Sequence, residues 1–158
     1  MLKIRFIVVG RTKEIFIREG ESFYLRRLRR FVQAEWKEVK PARMVKGRPP
    51  EEIMSEEAQK IMTAFSSGDY LVALDRMGKQ CDSETMARWL EGLSTSRSGG
   101  YVCFIIGGPV GLAKTIRQRA DHILSLSRLT LTHEMSRLLL LEQVYRSLTI
   151  IQGHQYHK

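Results

Sequence analysis

Cysteine and proline are scarce in this chain, and no long apolar run is present. Only two cysteines and four prolines occur among 158 residues. Cys81 and Cys103 lack the spacing of metal ligands, and two thiols are poor grounds for an oxidising compartment, so we expect both to be free. No apolar stretch reaches about 18 residues, so the sequence predicts no membrane-spanning helix.

A signal peptide is also missing from the sequence pattern. The first ten residues have no small-residue cleavage site and are typical of a first β-strand, so we expect a cytoplasmic protein. Hydrophobic residues make up 43% and charged residues 27% of the chain. These fractions are ordinary for globular proteins, and the length is that of one domain, so bulk disorder is excluded.

Acidic side chains are few relative to basic ones. The chain has 17 Asp plus Glu against 26 Lys plus Arg, a net charge of +9. The basic residues cluster at 26–30, 40–48 and 117–128. A domain this basic is expected to bind a polyanion, and nucleic acid is the first candidate. No ribonucleoprotein motif or zinc-finger spacing accompanies the charge, so charge explains affinity and leaves specificity to other features.

Strand patterns and helix patterns alternate along the chain. Strands are predicted at 2–9, 32–39, 70–74, 101–106 and 122–127, and helices at 13–31, 50–65, 82–93, 112–120 and 134–151. This alternation predicts an α/β sandwich with a largely parallel sheet. The first helix is expected to turn Phe16, Phe23, Leu28 and Phe31 toward the core. Thr132 is expected to cap the last helix.

The last helix is apolar around more than one side. Four consecutive leucines at 138–141 are joined by Met135, Val144, Tyr145 and Leu148. A helix of this kind must be buried on several sides. A two-fold dimer interface would bury it, and so would neighbouring helices of the same chain.

A glycine-rich turn at 107–111 separates an apolar strand from a helical pattern. Such a turn lets backbone approach a ligand closely. The segment 108–115 is one residue from a P-loop, because Ala113 replaces the glycine that precedes the lysine, here Lys114. The spacing also departs from the dinucleotide fingerprint. A tight turn without a ligand is the other interpretation.

Several segments follow in a fixed order in the C-terminal third. They are Ile-Gly-Gly-Pro-Val-Gly-Leu at 106–112, Leu-Ser-Arg-Leu-Thr-Leu at 126–131, His133, Arg137, Glu-Gln-Val-Tyr-Arg at 142–146, and Tyr-His at 156–157. Together they resemble the minimal SPOUT methyltransferases that act on N3 of a pseudouridine in large-subunit ribosomal RNA. The resemblance also includes Gly10, the segment 24–27 and the strand end at 74–75, so it covers essentially the whole chain.

The resemblance implies a single SPOUT domain over residues 1–158, with a trefoil knot at approximately 70–158. It further implies an obligate homodimer and S-adenosylmethionine as the methyl donor. The implied acceptor is a pseudouridine in helix 69 of 23S ribosomal RNA on assembled ribosomes.

The resemblance also implies which residues form the site. The cofactor-binding residues would be Leu74, Gly107, Leu126, Ser127, Arg128, Leu129, Thr130 and Leu131. Apolar side chains and free backbone groups of this kind suit an adenosine moiety. His157 and Tyr156 are the catalytic candidates, because the imide N–H of the acceptor benefits from a base or an anion-stabilising group.

RNA contacts are assigned to four basic residues: His133, Arg137, Arg146 and Lys158. Arg137 and Arg146 have a structural alternative, since either could pair within the fold. No metal is expected, because the pair His154 and His157 lacks a third ligand. Two other functions stay open: a non-catalytic RNA-binding protein that uses the basic surface, and a nucleotide hydrolase that uses residues 108–115.

Overall fold

The computed structural model describes residues 1–154, in which strands and helices alternate from end to end. The strands are β1 (Lys3–Val9), β2 (Gln33–Val39), β3 (Tyr70–Lys79), β4 (Val102–Ile106) and β5 (His122–Leu124). The helices are α1 (Ile15–Leu28), α2 (Pro50–Met62), α3 (Ser83–Ser96), α4 (Lys114–Arg119) and α5 (His133–Ile151).

The five strands form one sheet in the order β2-β1-β4-β3-β5. Every strand pair is parallel, which confirms the predicted α/β class with a parallel sheet. Parallel neighbours need crossover connections, and helices supply them. The carboxyl ends of the five strands therefore lie along one side of the sheet, and the amino ends lie along the opposite side. We call the two ends of the sheet the carboxyl edge and the amino edge.

Helices cover both faces of the sheet. On one face, Phe6 and Phe104 pack in a core with Leu28 of α1, Leu90 of α3 and Leu140 of α5. On the other face, α2 and α4 contribute Ile61 and Ile116 to a second core. A sheet buried on both sides explains why β4 is apolar at all five positions.

Helix α5 lies against α1 and α3 and also contacts β4. Its residues Leu140, Leu141 and Val144 are buried within the chain. Neighbouring helices of the same chain therefore cover part of its broad apolar surface, while Leu138 and Leu139 are only half-buried. The dimer interface stays a prediction. The Thr132 side chain accepts a hydrogen bond from the Met135 backbone N–H at 3.1 Å, which confirms the predicted N-cap.

The inward face predicted for α1 was wrong at Phe16 and Phe23, whereas Leu28 is buried and Phe31 packs against the core as predicted. Phe16 is 61% exposed and Phe23 is 39% exposed, whereas Ile17, Glu21 and Leu28 are buried. The acidic Glu21 can be buried because its carboxylate accepts a hydrogen bond from the Thr12 hydroxyl at 2.7 Å. That bond joins residues nine apart across the start of the helix, and hydrophobic periodicity carries no signal for it.

The predicted end of β3 at Leu74 was also wrong, because the strand continues to Lys79. Its second half is polar, and β5 pairs with it after a register shift between Leu74 and Lys79. Gly78 permits the close approach, since a Cβ there would lie 2.6 Å from the Ile123 carbonyl oxygen. The strand extends past its apolar segment because a neighbouring strand supplies hydrogen bonds.

Both cysteines are free, with Cys81 exposed and Cys103 buried. Within residues 1–154, no helix is long and apolar enough to cross a bilayer.

Candidate cofactor and RNA site

A cavity of about 680 Å³ opens at the carboxyl edge of the sheet. Three segments line it: the middle of β3 at residues 74–76, the glycine turn after β4, and the loop between β5 and α5 together with the first turn of α5. Crevices beside the carboxyl ends of parallel strands are the usual ligand sites of α/β sheets. The volume falls within the range of small-molecule pockets.

Seven of the eight predicted cofactor residues line this cavity. They are Leu74, Gly107, Leu126, Ser127, Leu129, Thr130 and Leu131. Arg128 lies in the same loop but is exposed and does not line the cavity. The structure thus brings together residues that are as many as 57 positions apart in sequence, from Leu74 to Leu131.

The glycine turn, residues 107–111, presents backbone to the cavity. Gly111 has a φ of +86°, and its N–H donates to the Gly108 carbonyl at 3.0 Å. A Cβ on Gly107 would lie 2.8 Å from the Gly111 carbonyl carbon. Only glycine therefore fits at position 107 without moving the turn.

The same hydrogen bond argues against a P-loop. A phosphate cradle needs backbone N–H groups that point outward at the ligand. In this turn the Gly111 N–H points back at the Gly108 carbonyl.

The β5–α5 loop, residues 125–132, is held by hydroxyl groups. The buried Ser125 hydroxyl lies 3.0 Å from the Arg76 carbonyl and 3.1 Å from the Ser127 carbonyl. Ser127 accepts from the Leu129 N–H at 3.0 Å. These bonds hold Leu126 half-buried in the cavity wall, while Leu129 stays 76% exposed at its mouth. Ser125 was not predicted as a site residue, because a single serine between Leu124 and Leu126 gives no recognisable sequence pattern.

A carboxylate lies at the cavity rim. Asp75 accepts hydrogen bonds from the Met77 N–H at 2.8 Å and from Arg117 at 3.0 Å. Burial acts to raise the pKa of Asp75, but these two donors together lower it below its usual value. Asp75 is therefore ionised at neutral pH and can accept hydrogen bonds from hydroxyl groups of a ligand.

His133 begins α5 and lines the cavity. His133 was predicted to contact RNA, and the structure places it in the wall of the cavity as well. Burial, and then the nearby Arg137, lower the pKa of His133. Its imidazole is consequently neutral near pH 7.

Arg137 does not lie on a surface that RNA could contact. It is fully buried, and its guanidinium donates to the Thr12 hydroxyl at 2.8 Å and to the Val9 carbonyl at 2.6 Å. The structure corrects the RNA assignment in favour of the structural alternative. Sequence spacing showed that Arg137 lies on α5, but only the packing showed that it faces the end of β1.

The remaining predicted residues have different positions. Arg146 is partly buried on α5, where its Nε and Nη2 atoms donate to Glu142 at 3.0 and 2.8 Å. Tyr156, His157 and Lys158 lie outside the described residues. Among residues 1–154, no cluster of three or more His, Cys, Asp or Glu side chains could hold a metal ion.

The cavity fits S-adenosylmethionine by its chemistry. Leu74, Leu126 and Leu131 offer an apolar wall for a purine ring, and the glycine turn offers backbone groups at a place where no side chain would fit. Asp75 supplies an acceptor for ribose hydroxyls. A parallel α/β sheet with this cavity at its carboxyl edge is typical of proteins that bind a nucleoside-containing cofactor.

The family described as "Predicted SPOUT methyltransferase" matches residues 2–157. A protein of Streptococcus pyogenes serotype M5 (strain Manfredo), named "Ribosomal RNA large subunit methyltransferase H", is 39% identical over 160 residues, covering 99% of this chain and 100% of that protein. A protein of the same name from Leuconostoc citreum (strain KM20) is 38% identical over 162 residues, with the same coverage.

Two solved structures share the fold. A probable methyltransferase from Bordetella pertussis Tohama I has a TM-score of 0.58 at 13% identity, covering 93% of this chain and 95% of that one. A probable methylase family protein from Haemophilus influenzae Rd KW20 has a TM-score of 0.57 at 12% identity, covering 100% of this chain and 72% of that one.

This chain belongs to the SPOUT methyltransferase family. It is a methyltransferase, and its methyl donor is S-adenosylmethionine.

Proposed function

We propose that this protein methylates N3 of a pseudouridine in helix 69 of 23S ribosomal RNA on assembled ribosomes, in the cytoplasm, as one SPOUT domain spanning residues 1–158. Full-length similarity to proteins named as large-subunit ribosomal RNA methyltransferases supports the RNA substrate. The observation that carries the proposal is the cavity built by the glycine turn and the β5–α5 loop. The trefoil knot at approximately 70–158 stays a prediction.

Catalysis in such a site depends mainly on positioning. Bound S-adenosylmethionine supplies an electrophilic methyl group. The glycine turn and the leucines of the cavity wall bind and orient that donor, so that the acceptor nitrogen can be held in line with the methyl carbon. The neutral imidazole of His133 adds no positive charge to the wall. A cationic donor is therefore not repelled from that side.

The acceptor nitrogen must lose its proton for methyl transfer. We assign that step to the tail, with His157 as the base and Tyr156 as a group that stabilises the anion of the ring. Both residue types can hold a proton at a hydrogen-bonding atom near neutral pH. Arg146 and Lys158 are proposed as RNA contacts.

The geometry of α5 favours a tail that acts across a dimer. This helix starts in the cavity wall at His133 and has 19 residues, so it ends about 28 Å away. His154 lies there, with its ring 5.9 Å from that of Phe31 next to the amino edge. Any four residues of chain span at most about 14 Å when fully extended, which is about half of that distance.

In the homodimer that we propose, the tail of one subunit enters the cavity of its partner, so it does not need to cover this distance. The exposed apolar side chains of α1 support such an interface. Ile15 is 64% exposed, Phe16 is 61% exposed and Phe23 is 39% exposed. Phe16 and Phe23 are seven residues apart, and therefore lie on one side of the helix. Two-fold dimers are the commonest oligomers.

The decisive test is methyl transfer to ribosomes. Ribosomes from a strain that lacks this protein should accept labelled methyl from S-adenosylmethionine on one pseudouridine, located by mass spectrometry. His157→Ala should lower turnover more than it lowers cofactor affinity. A defect explained entirely by weaker cofactor binding would contradict the assigned role.

Membership of the methyltransferase family argues against the non-catalytic alternative. Absence of methyl transfer to both intact ribosomes and free large subunits would overturn the proposed function.

A further inference from the structure

The loop between β2 and α2 combines exposed charge with exposed apolar groups. We call residues 40–48 the basic loop. Lys40, Arg43 and Lys46 are exposed, and no ion pair to them occurs among the described residues 1–154. Between them, Met44 is 59% exposed and Val45 is 60% exposed. Positive charge beside apolar side chains suits a polyanion that carries unstacked bases.

A fourth cation stabilises the loop itself. Arg48 pairs with Glu52 and Glu56 of α2 and also donates to the Arg43 carbonyl at 3.1 Å. The charge of Arg48 is thus used inside the protein, and its bond to the backbone holds the loop in place. The other three cations project from a loop that is anchored at its end.

The start of the loop is connected to the cavity wall. Pro41 packs on Gly10, 3.5 Å from where a Cβ would stand, and the Ala42 N–H donates to Glu57 at 3.2 Å. The second oxygen of Glu57 lies 3.5 Å from the Cβ position of Gly108 in the glycine turn. One buried carboxyl group therefore lies between the basic loop and the turn that lines the cavity.

The basic loop is also close enough to the cavity to contact RNA beside the target nucleotide. The loop leaves β2 at the carboxyl edge, where the cavity lies, and β2 is two strands from β4. Strands are about 4.8 Å apart, so the loop begins about 10 Å from the glycine turn. By contrast, the basic cluster at 26–30 spans the C-terminal end of α1, near the amino edge.

We propose that the basic loop contacts the phosphates that flank the target nucleotide of the ribosomal RNA. An enzyme that modifies a base must hold it out of its stack, and contacts to the neighbouring backbone secure it there. Lys40, Arg43 and Lys46 bind phosphate oxygens, and Met44 and Val45 pack against an exposed base or ribose. This inference rests on the proposed function.

The test compares two double variants with equal loss of charge. Arg43→Ala with Lys46→Ala removes two cations of the basic loop and keeps the backbone carbonyl that Arg48 uses. Lys3→Ala with Arg119→Ala removes two exposed cations at the start of β1 and at the end of α4, away from the cavity, and neither forms an ion pair among residues 1–154. Methylation rates are measured against ribosome concentration at several salt concentrations, and S-adenosylmethionine affinity is measured by calorimetry.

The loop variant should need at least about threefold more ribosomes for half-maximal rate, with unchanged cofactor affinity. For this variant, the slope of log affinity for ribosomes against log salt concentration should be smaller in magnitude by about 0.7 to 0.9 for each phosphate that the loop no longer binds. Equal behaviour of the two variants would overturn the inference, as would a loop variant whose sedimentation shows altered oligomeric state. Failure of the unaltered protein to methylate ribosomes would instead count against the proposed function.

Discussion

Arg137 is the most deeply buried charged side chain in the described part of the molecule. It connects the second turn of α5 to the end of β1, through Thr12 and the Val9 carbonyl. Glu134, one turn earlier, accepts from the Lys13 and Glu14 backbone N–H groups. These bonds fix the position of His133 and therefore one side of the cavity. A residue remote from RNA can thus matter for catalysis through position.

Arg137→Ala should destabilise the fold by about 3–5 kcal/mol, because it removes the positive charge that faces the buried Glu21 and leaves the Val9 carbonyl without its donor. Urea unfolding followed by circular dichroism measures this destabilisation. Arg128→Ala, at an exposed site, is the control and should change stability by less than about 0.5 kcal/mol. Equal stability of the two variants would contradict the structural role of Arg137.

The burial of Glu57 makes the stability of the fold depend on pH, and the sign of this dependence can be predicted. Burial raises the pKa of Glu57, and the Ala42 N–H only partly opposes this. The folded state therefore favours the protonated acid, so this residue's contribution to stability is complete below the unfolded pKa of about 4.3 and is lost as pH rises through the folded pKa.

Glu57→Gln keeps a neutral polar group at every pH. At pH 8 the free energy of unfolding of the variant should equal or exceed that of the unaltered protein. The difference between the two free energies should shrink as the pH falls toward 4. Unfolding curves across this range check it. Glu56→Gln is the matched control with the opposite sign, because Arg48 and Lys60 lower the pKa of Glu56. A Glu57→Gln variant that loses stability mainly at high pH would refute the expectation.

At the scale of elements, the glycine turn provides a sharp comparison between neighbours. A Cβ on Gly107 would meet Gly111 backbone at 2.8 Å, whereas one on Gly108 would meet the Val9 side chain at 3.3 Å. Backbone in a closed turn yields less easily than a side chain.

Gly107→Ala should therefore weaken S-adenosylmethionine binding by at least about tenfold, equivalent to 1.4 kcal/mol, while Gly108→Ala changes it by less than about threefold. Titration calorimetry measures both, and thermal unfolding shows whether either variant disturbs the fold as a whole. Similar affinities for the two variants would mean that the turn does not shape the cofactor site.

Elements differ in how well the sequence predicts them. Strand β4 and helix α5 have strong apolar patterns, and both lie within one or two residues of their predicted bounds. The second half of β3 has no such pattern, because its hydrogen bonds depend on β5, which lies far along the chain. Phe16 and Phe23 of α1 were mispredicted as inward-facing for a similar reason, since the hydrogen bond from Thr12 allows the acidic Glu21 to lie on the buried side of the helix.

At the scale of the whole molecule, the proposed dimer makes a prediction about mixed subunits. Chains with His157→Ala keep their cavity, and chains with Gly107→Val keep their tail. If the tail acts across the dimer, co-expressed chains should regain on the order of a quarter of normal activity, because half of the dimers contain one complete site. Each variant alone should be nearly inactive.

Separately tagged subunits allow the mixed dimers to be purified and assayed for methyl transfer. No recovery in mixed dimers, with folding of both variants verified by circular dichroism, would place the tail in its own subunit's site or remove it from catalysis.

The amino-acid sequence alone determined the α/β class, the parallel sheet, the N-cap of α5 and the segments that carry the family resemblance, because these depend on local periodicity and on the order of residues along the chain. Only the tertiary structure decided that Arg137 is internal, that Ser125 holds the β5–α5 loop, and that the basic loop lies at the cavity edge. Those facts depend on which distant segments meet, and the free energy of such contacts is shared between residues that no local pattern connects.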